Sequence, residues 1–180
     1  MLLPEITQRL RHNHQAFVAL LAGMHAHELV QAPAGKWSAV QQLDHLRRSV
    51  RPVRWAFRLP LWLLGGWQGK PNRPGRSYEA LVARYQEKLA GGGRAAGAFV
   101  PPPLAAHARE ALSQALLREV EALCSRLERM DEKQLDAYLL PHPLLGKLTL
   151  REMLYFTVYH VEHHQRIVAG YSGADEAVGT

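Results

Sequence analysis

Three histidines near the end of the chain are the residues best suited to chemistry. His160, His163 and His164 fall within residues 149–168, where apolar residues recur at helical spacing. Residues four apart on a helix lie one turn apart on the same face, so His160 and His164 can share a metal ion. On a helical projection, His164 lies within the apolar face and His160 near its edge, whereas His163 lies toward the polar side. The spacing therefore selects His160 and His164 as the inward pair.

A third candidate ligand, His45, lies far upstream in the chain. It is about 130° from the apolar centre of its predicted helix, on a flank with small residues, so periodicity alone would not select it. Without a third partner, a buried histidine pair on one helix is more often structural than metal-binding. Three neutral imidazoles would suit zinc, nickel or another late divalent ion, with one coordination position open to water.

Four long amphipathic segments must position these histidines. Ser38 with Gln41, and Thr149 with Glu152, form capping boxes that mark two helix starts. We find no persuasive strand alternation, and residues 140–147 are expected to form turns. The predicted main helices span about 5–30, 38–59, 104–130 and 149–168, and a shorter one spans about 77–90. Two short connections and one long one predict an all-α four-helix bundle whose long crossover carries the short extra helix.

Length and composition indicate a soluble protein. The 180 residues, 47% of them hydrophobic, suit one domain over residues 1–170, followed by a flexible tail over 171–180. Cys124 is the single cysteine, which excludes an internal disulfide and fits a reducing compartment; we expect it to be a buried, inert thiol. No signal peptide is recognisable, and the longest apolar segment, 59–67, is too short to span a bilayer. We expect a cytoplasmic location and no membrane partner.

The net charge of +6 comes in large part from five arginines on the second helix. Four of them, Arg47, Arg51, Arg54 and Arg58, cluster on one flank, with Arg48 further round. We favour a solvated helix surface over a site for an acidic partner. Nucleic-acid binding is not expected, because the chain has neither interleaved aromatic residues nor a recognised binding motif.

Several other residues have a structural interpretation. The histidines of the first predicted helix are expected at the surface, because residues two apart face different directions. The core is the favoured location for Trp55, Trp62 and Trp67, with a dimer patch or pocket lining as alternatives. A turn role is favoured for His142, with a position at the mouth of the site as the alternative. The histidines of the first predicted helix are His12, His14, His25 and His27.

Metal-bound histidines usually donate their second ring nitrogen to an acceptor. Gln41 is the best placed by angle to accept from His45. Asp44, Glu162 and Gln165 are weaker candidates.

Two motifs together resemble the DinB/YfiT-like superfamily. The first is Trp37-Ser-x-x-Gln-x-Leu-x-His45-Leu, and the second is His160-x-x-x-His164-x-x-Ile after a Thr-Leu-x-Glu helix start. The resemblance implies a four-helix bundle that binds a divalent metal through three histidines, here His45, His160 and His164. It also implies a homodimer. Members with assigned activities are thiol S-transferases or isomerases that use low-molecular-weight thiols, and others are described as metal-dependent hydrolases.

The resemblance makes a metal-dependent thiol S-transferase acting on a small electrophile our leading hypothesis. A zinc-like ion lowers the pKa of a bound thiol or water and so generates a nucleophile at neutral pH. The alternatives are a hydrolase that uses metal-bound water, and a non-catalytic bundle that keeps the metal for stability or binds an acidic partner through the arginine flank. No catalytic residue is assigned beyond the metal centre.

Overall fold

The computed structural model describes residues 1–33 and 35–172. Its described part contains seven α-helices, two short 3₁₀ segments at Gly97–Phe99 and Glu132–Asp136, and one β-hairpin. The helices are α1 Leu3–Ala22, α2 Ala26–Val30, α3 Ala39–Arg58, α4 Leu61–Gln68, α5 Tyr78–Ala90, α6 Ala108–Leu127 and α7 Leu150–Ser172. The hairpin strands are β1 Leu139–His142 and β2 Gly146–Thr149.

Helices α1, α3, α6 and α7 form the four-helix bundle that the sequence predicts. Helix α1 packs against α6 and α7, and α3 packs against the same two helices, so α1 and α3 lie across a diagonal. The interior is filled by aliphatic and aromatic side chains from all four helices, including Phe17, Leu43, Leu123 and Leu154. Helix α7 is buried on most of its circumference, because the crossover and the hairpin also pack against it.

The predicted capping boxes define two of the helix starts. At α3, the Gln41 backbone N–H donates to Ser38 Oγ and the Ser38 N–H donates to Gln41 Oε1. Thr149 and Glu152 exchange the equivalent pair of hydrogen bonds at α7. The predicted first helix is wrong in its extent, because α1 stops at Ala22 and α2 is a separate turn with its own capping box.

The hairpin before α7 corrects the expectation of turns alone over residues 140–147. Its strands pair in antiparallel register, with Leu139 opposite Thr149 and His142 opposite Gly146. Gly146 has a φ of 77°, in the left-handed region where glycine carries no steric penalty. Each strand has only four residues, and β1 contains Pro141, so the sequence shows no clear alternation of apolar and polar residues.

The Glu152 carboxylate of α7 binds the long crossover between α3 and α6. Glu152 is fully buried and accepts hydrogen bonds from the guanidinium groups of Arg73 and Arg76 and from the Arg76 backbone N–H. Burial by itself would raise the pKa of this carboxyl, but these donors and the Thr149 N–H outweigh it and lower the pKa to about 2. Helix α5 then packs along α7.

Two expectations about burial are wrong. His14 is fully buried, because it lies on the same α1 face as Leu10 and Phe17, and its Nδ1–H donates to the Leu10 carbonyl at 2.7 Å. Trp55 and Trp62 are exposed rather than in the core, at 48% and 72%. Cys124, by contrast, is buried as expected, and burial raises the pKa of its thiol to about 12.

The arginine flank of α3 is partly neutralised by carboxylates. Arg47 and Arg48 both bind Asp44, and Arg54 binds Glu119 of α6. Arg51 is exposed, as a solvated surface would require.

The end of the chain differs from the expected tail, because α7 continues through residues 171 and 172. The remainder of the predicted tail, and the Trp67 side chain, lie outside the described residues. No helix in the described ranges combines the length and the apolar character needed to cross a bilayer.

Candidate metal centre

The structure brings the three candidate histidines together inside the bundle. His45 comes from α3, and His160 and His164 come from successive turns of α7. The Nε2 atom of His160 lies 3.2 Å from Nε2 of His45 and 3.0 Å from Nε2 of His164. One potential ligand atom from each ring lies within 4.8 Å of the other two, and each residue is only 5% exposed.

Two oxygen acceptors, one from the backbone and one from a side chain, fix the rings of His45 and His164. The Nδ1–H of His45 donates to the Phe99 carbonyl at 2.7 Å, and the Nδ1–H of His164 donates to Gln42 Oε1 at 2.5 Å. Carbonyl oxygens only accept, so both rings carry their proton on Nδ1 when neutral and present a bare Nε2 lone pair to the centre.

Gln42 is itself held in one orientation. Its amide nitrogen donates to the Tyr171 hydroxyl and the Trp37 carbonyl, which leaves the amide oxygen for His164. The Tyr171 hydroxyl donates to the same Trp37 carbonyl at 2.7 Å. This network therefore fixes which end of the Gln42 amide faces His164.

The inward lone pairs create an electrostatic conflict that a cation would resolve. A proton on His160 Nε2 can satisfy one of the two short contacts that this atom makes, but not both. Ligands about 2.0–2.1 Å from a tetrahedral zinc ion lie about 3.3 Å apart, close to the observed 3.0 and 3.2 Å separations. The donor set therefore fits a late divalent metal.

Burial keeps these ligand rings neutral. Loss of hydration lowers the pKa of His45 and lowers those of His160 and His164 well below the ordinary value, and for the latter two the neighbouring imidazoles act in the same direction. Metal binding requires the unprotonated ring, so the centre is prepared for a cation at neutral pH.

An apolar cavity opens beside the histidines. It has a volume of about 390 Å³, and His45 and His160 line it together with residues of α3, α7, the crossover and the hairpin. His164 is not among the lining residues. The open side of the cluster therefore faces the cavity between His45 and His160. The apolar walls include Val53, Leu64, Leu89, Phe99, Leu140 and Phe156.

Comparison with known proteins identifies the family. The sequence model of the DinB superfamily matches residues 9–168, which include all three histidines. The chain belongs to the DinB superfamily. The crystal structure of TT2238, a four-helix bundle protein, is similar in fold, with a TM-score of 0.58 and 16% identity over 93% of this chain and 98% of that chain. No curated protein matches the chain.

The DinB bundle corrects several expectations about which side chains accept hydrogen bonds from the three histidines. Gln41 does not bind a ligand histidine: its side chain accepts from Ser38 and donates to the Pro102 carbonyl. Asp44 accepts from Arg47 and Arg48.

The two other candidates do not bind the ligand rings either. Glu162 accepts from Arg9 and Asn13. Among the described residues, the hydrogen-bond partners of the three rings do not include Gln165. His163 lies outside the cluster and is partly exposed, as the helical projection predicts.

Two residues of the DinB site were missed from the sequence. The Phe99 carbonyl acts through its backbone, which no side-chain motif can reveal. Gln42 differs by one position from the residue that the helical projection favours. His142 has the favoured turn role, since it accepts from the turn N–H groups of Leu144 and Leu145, and it also lines the cavity, which was the alternative.

Proposed function

We propose that this DinB protein is a metal-dependent thiol S-transferase whose metal is held by His45, His160 and His164. The observation that carries the proposal is a cluster of three neutral imidazoles with one side open to an apolar cavity. Three protein ligands with a free coordination position is the arrangement of catalytic metal sites, whereas structural zinc sites close with four. Zinc and nickel are the favoured ions because the donors are imidazole nitrogens.

The metal, when bound, would lower the pKa of a thiol at the open position and supply a thiolate at neutral pH. His45 and His160 line the cavity, and the Phe99 carbonyl and the Gln42 amide hold the rings of His45 and His164 with Nε2 toward the position that a metal would occupy. The apolar walls exclude water and accept the carbon skeleton of a small electrophile. Exclusion of water favours attack by a thiol over hydrolysis.

Metal analysis of the purified protein tests the centre. We expect one zinc or nickel ion per chain in the wild type and loss of that ion in His45→Ala and His164→Ala. His163→Ala is the matched control, because it removes an imidazole from the same helix outside the cluster. Full metal content in both ligand variants would refute the proposed site.

Thiol dependence tests the reaction. The zinc-loaded protein would be incubated with 1-chloro-2,4-dinitrobenzene and, in turn, glutathione, cysteine and coenzyme A. We expect one of these thiols to form the thioether, with release of chloride and a proton, faster than the same thiol does without protein, and we expect His45→Ala to lose this acceleration. Thiol-independent cleavage of p-nitrophenyl acetate, also lost in His45→Ala, would instead favour a hydrolase.

A further inference from the structure

His142 is the one hydrogen-bonding side chain that the hairpin contributes to the cavity wall. It ends strand β1, and its Nδ1 accepts the backbone N–H groups of Leu144 and Leu145, each at 3.1 Å. An Nδ1 atom that accepts two N–H donors cannot carry a proton in the neutral ring. The ring proton of His142 therefore lies on Nε2, which is the opposite tautomer from His45 and His164.

The Nε2–H of His142 is an unused donor. It has no hydrogen-bond partner among the described residues. Within those residues, the fully buried side-chain atoms without a partner are His14 Nε2 and Arg84 Nε, so the Nε2 atom of His142 retains some accessible surface. Since the ring lines the cavity, the accessible atom is available to a molecule inside it. Burial lowers the pKa of His142 to about 4, so the ring stays a neutral donor at physiological pH.

One aromatic ring joins this donor to the metal centre. The Phe156 ring centroid lies 4.3 Å from that of His142 and 4.7 Å from that of the ligand His160. All three rings line the same cavity. A small molecule in contact with the open side of the cluster can therefore also reach His142.

We propose that His142 is a substrate-binding residue whose Nε2–H donates a hydrogen bond to an oxygen of the electrophile. The inference rests on the proposed function and narrows its substrate class to apolar molecules with a carbonyl or epoxide oxygen beside the carbon that the thiol attacks. A neutral donor suits such an uncharged oxygen. A hydrocarbon of the same shape would leave the donor without a partner inside the apolar cavity, and this penalty gives selectivity.

The experiment compares acetophenone and ethylbenzene, which have the same carbon skeleton and differ in the carbonyl oxygen. Dissociation constants for the zinc-loaded, full-length protein would be measured by ligand-observed NMR. His142→Asn is the test variant, because Asn Oδ1 takes the place of Nδ1 and can cap the hairpin, while the distal donor is lost. His142→Gln retains a distal N–H donor and tests for rescue.

The preference for the ketone is the dissociation constant of ethylbenzene divided by that of acetophenone. We expect His142→Asn to reduce this ratio by about tenfold, because one hydrogen bond to a neutral donor contributes about that factor. His142→Gln should recover part of this preference. Ethylbenzene should bind His142→Asn more tightly than the wild type, because the donor that the hydrocarbon leaves without a partner is gone. An unchanged ratio in His142→Asn overturns the proposal. Because no thiol is present, the result is independent of whether S-transfer occurs.

A second measurement needs no substitution. In wild-type protein labelled with ¹⁵N-histidine, acetophenone should shift the Nε2 resonance of His142, and ethylbenzene should shift it much less. Equal shifts with both probes would overturn the proposal even if the variants fail to fold.

Discussion

Gln42 is the side chain that most directly sets the orientation of His164, one of the three proposed metal ligands. Its amide oxygen accepts from His164, and its amide nitrogen is held by Tyr171 and the Trp37 carbonyl. Removing such an acceptor typically weakens metal affinity by about 10- to 100-fold. We therefore expect Gln42→Leu to lower zinc affinity within that range, measured by competition with a chromogenic chelator.

Gln41→Leu is the control for this prediction. It removes the reciprocal bond of the α3 capping box, which costs about 1 kcal/mol of stability, but it leaves the His164 acceptor intact. Equal zinc affinities in the two variants would contradict the assigned role of Gln42.

His14 should make the unfolding free energy depend on pH. Burial lowers the pKa of His14 from 6.5 to about 4, against a weaker opposing effect of its bond to the Leu10 carbonyl, and its Nε2 has no partner. Above pH 6.5 the ring is neutral in both states and the full stability is present. As the pH falls from 6.5 toward 4, the unfolded chain binds a proton that the folded chain excludes, so stability is lost.

His14→Leu isolates this effect from the other buried histidines. Between pH 7 and pH 4 the wild type should lose about 3 kcal/mol more than the variant, measured by urea unfolding of metal-free protein. Parallel stability curves would mean that His14 has the same pKa in the folded and unfolded chains, and would contradict this prediction.

At the scale of the elements, Glu152 joins the start of α7 to the crossover. Breaking a buried ion pair by removing one partner costs about 3–5 kcal/mol, although the partly exposed arginines here place the expectation near the lower end. We expect Glu152→Gln to destabilise the protein by about 3 kcal/mol and to speed hydrogen exchange over residues 73–76.

Glu121→Gln provides the comparison, since Glu121 pairs with Arg11 but is 57% exposed. Exposed pairs contribute about 0–1 kcal/mol, so this variant should unfold close to the wild type. A similar small effect for Glu152→Gln would mean that the crossover is held by its apolar contacts alone.

The elements also show what the sequence can predict. Ser38 and Thr149 locate two helix starts because caps are local, and the spacing of His160 and His164 gives their shared direction because a helix is regular. The positions of His14, Gln42 and His142 depend on which neighbours pack against them. That information is tertiary, and the short proline-containing hairpin has too little repetition to reveal itself.

At the scale of the whole molecule, the proposed metal centre would couple metal binding to folding. The three imidazoles meet only in the folded chain, so a metal that binds them stabilises the native state by about 4 kcal/mol at a thousandfold excess over its dissociation constant. We expect zinc to raise the melting temperature and EDTA to reverse the rise. In His45→Ala the zinc-dependent rise should be lost, and its persistence would place the ion elsewhere.

The homodimer implied by the family remains a prediction, and the exposed apolar patch is its candidate interface. This patch consists of Trp55, Leu59, Trp62 and Leu63. Arg54 and Arg58 lie over the Trp55 ring at 4.6 and 4.8 Å. We expect light scattering to give a dimer mass for the wild type and a monomer mass for Trp62→Glu, whereas an unchanged dimer would require another interface.

Two sets of elements line the cavity beside the three histidines. The bundle supplies the ligand rings, while residues 94–96 and 143–144, in the crossover and the hairpin turn, supply much of the outer wall. Among the described residues, no hydrogen bond joins these two outer segments to His45, His160 or His164. Mutant libraries confined to those five positions should therefore change which compounds the cavity accepts and leave the three imidazoles in place, which would make this chain a practical starting point for directed evolution.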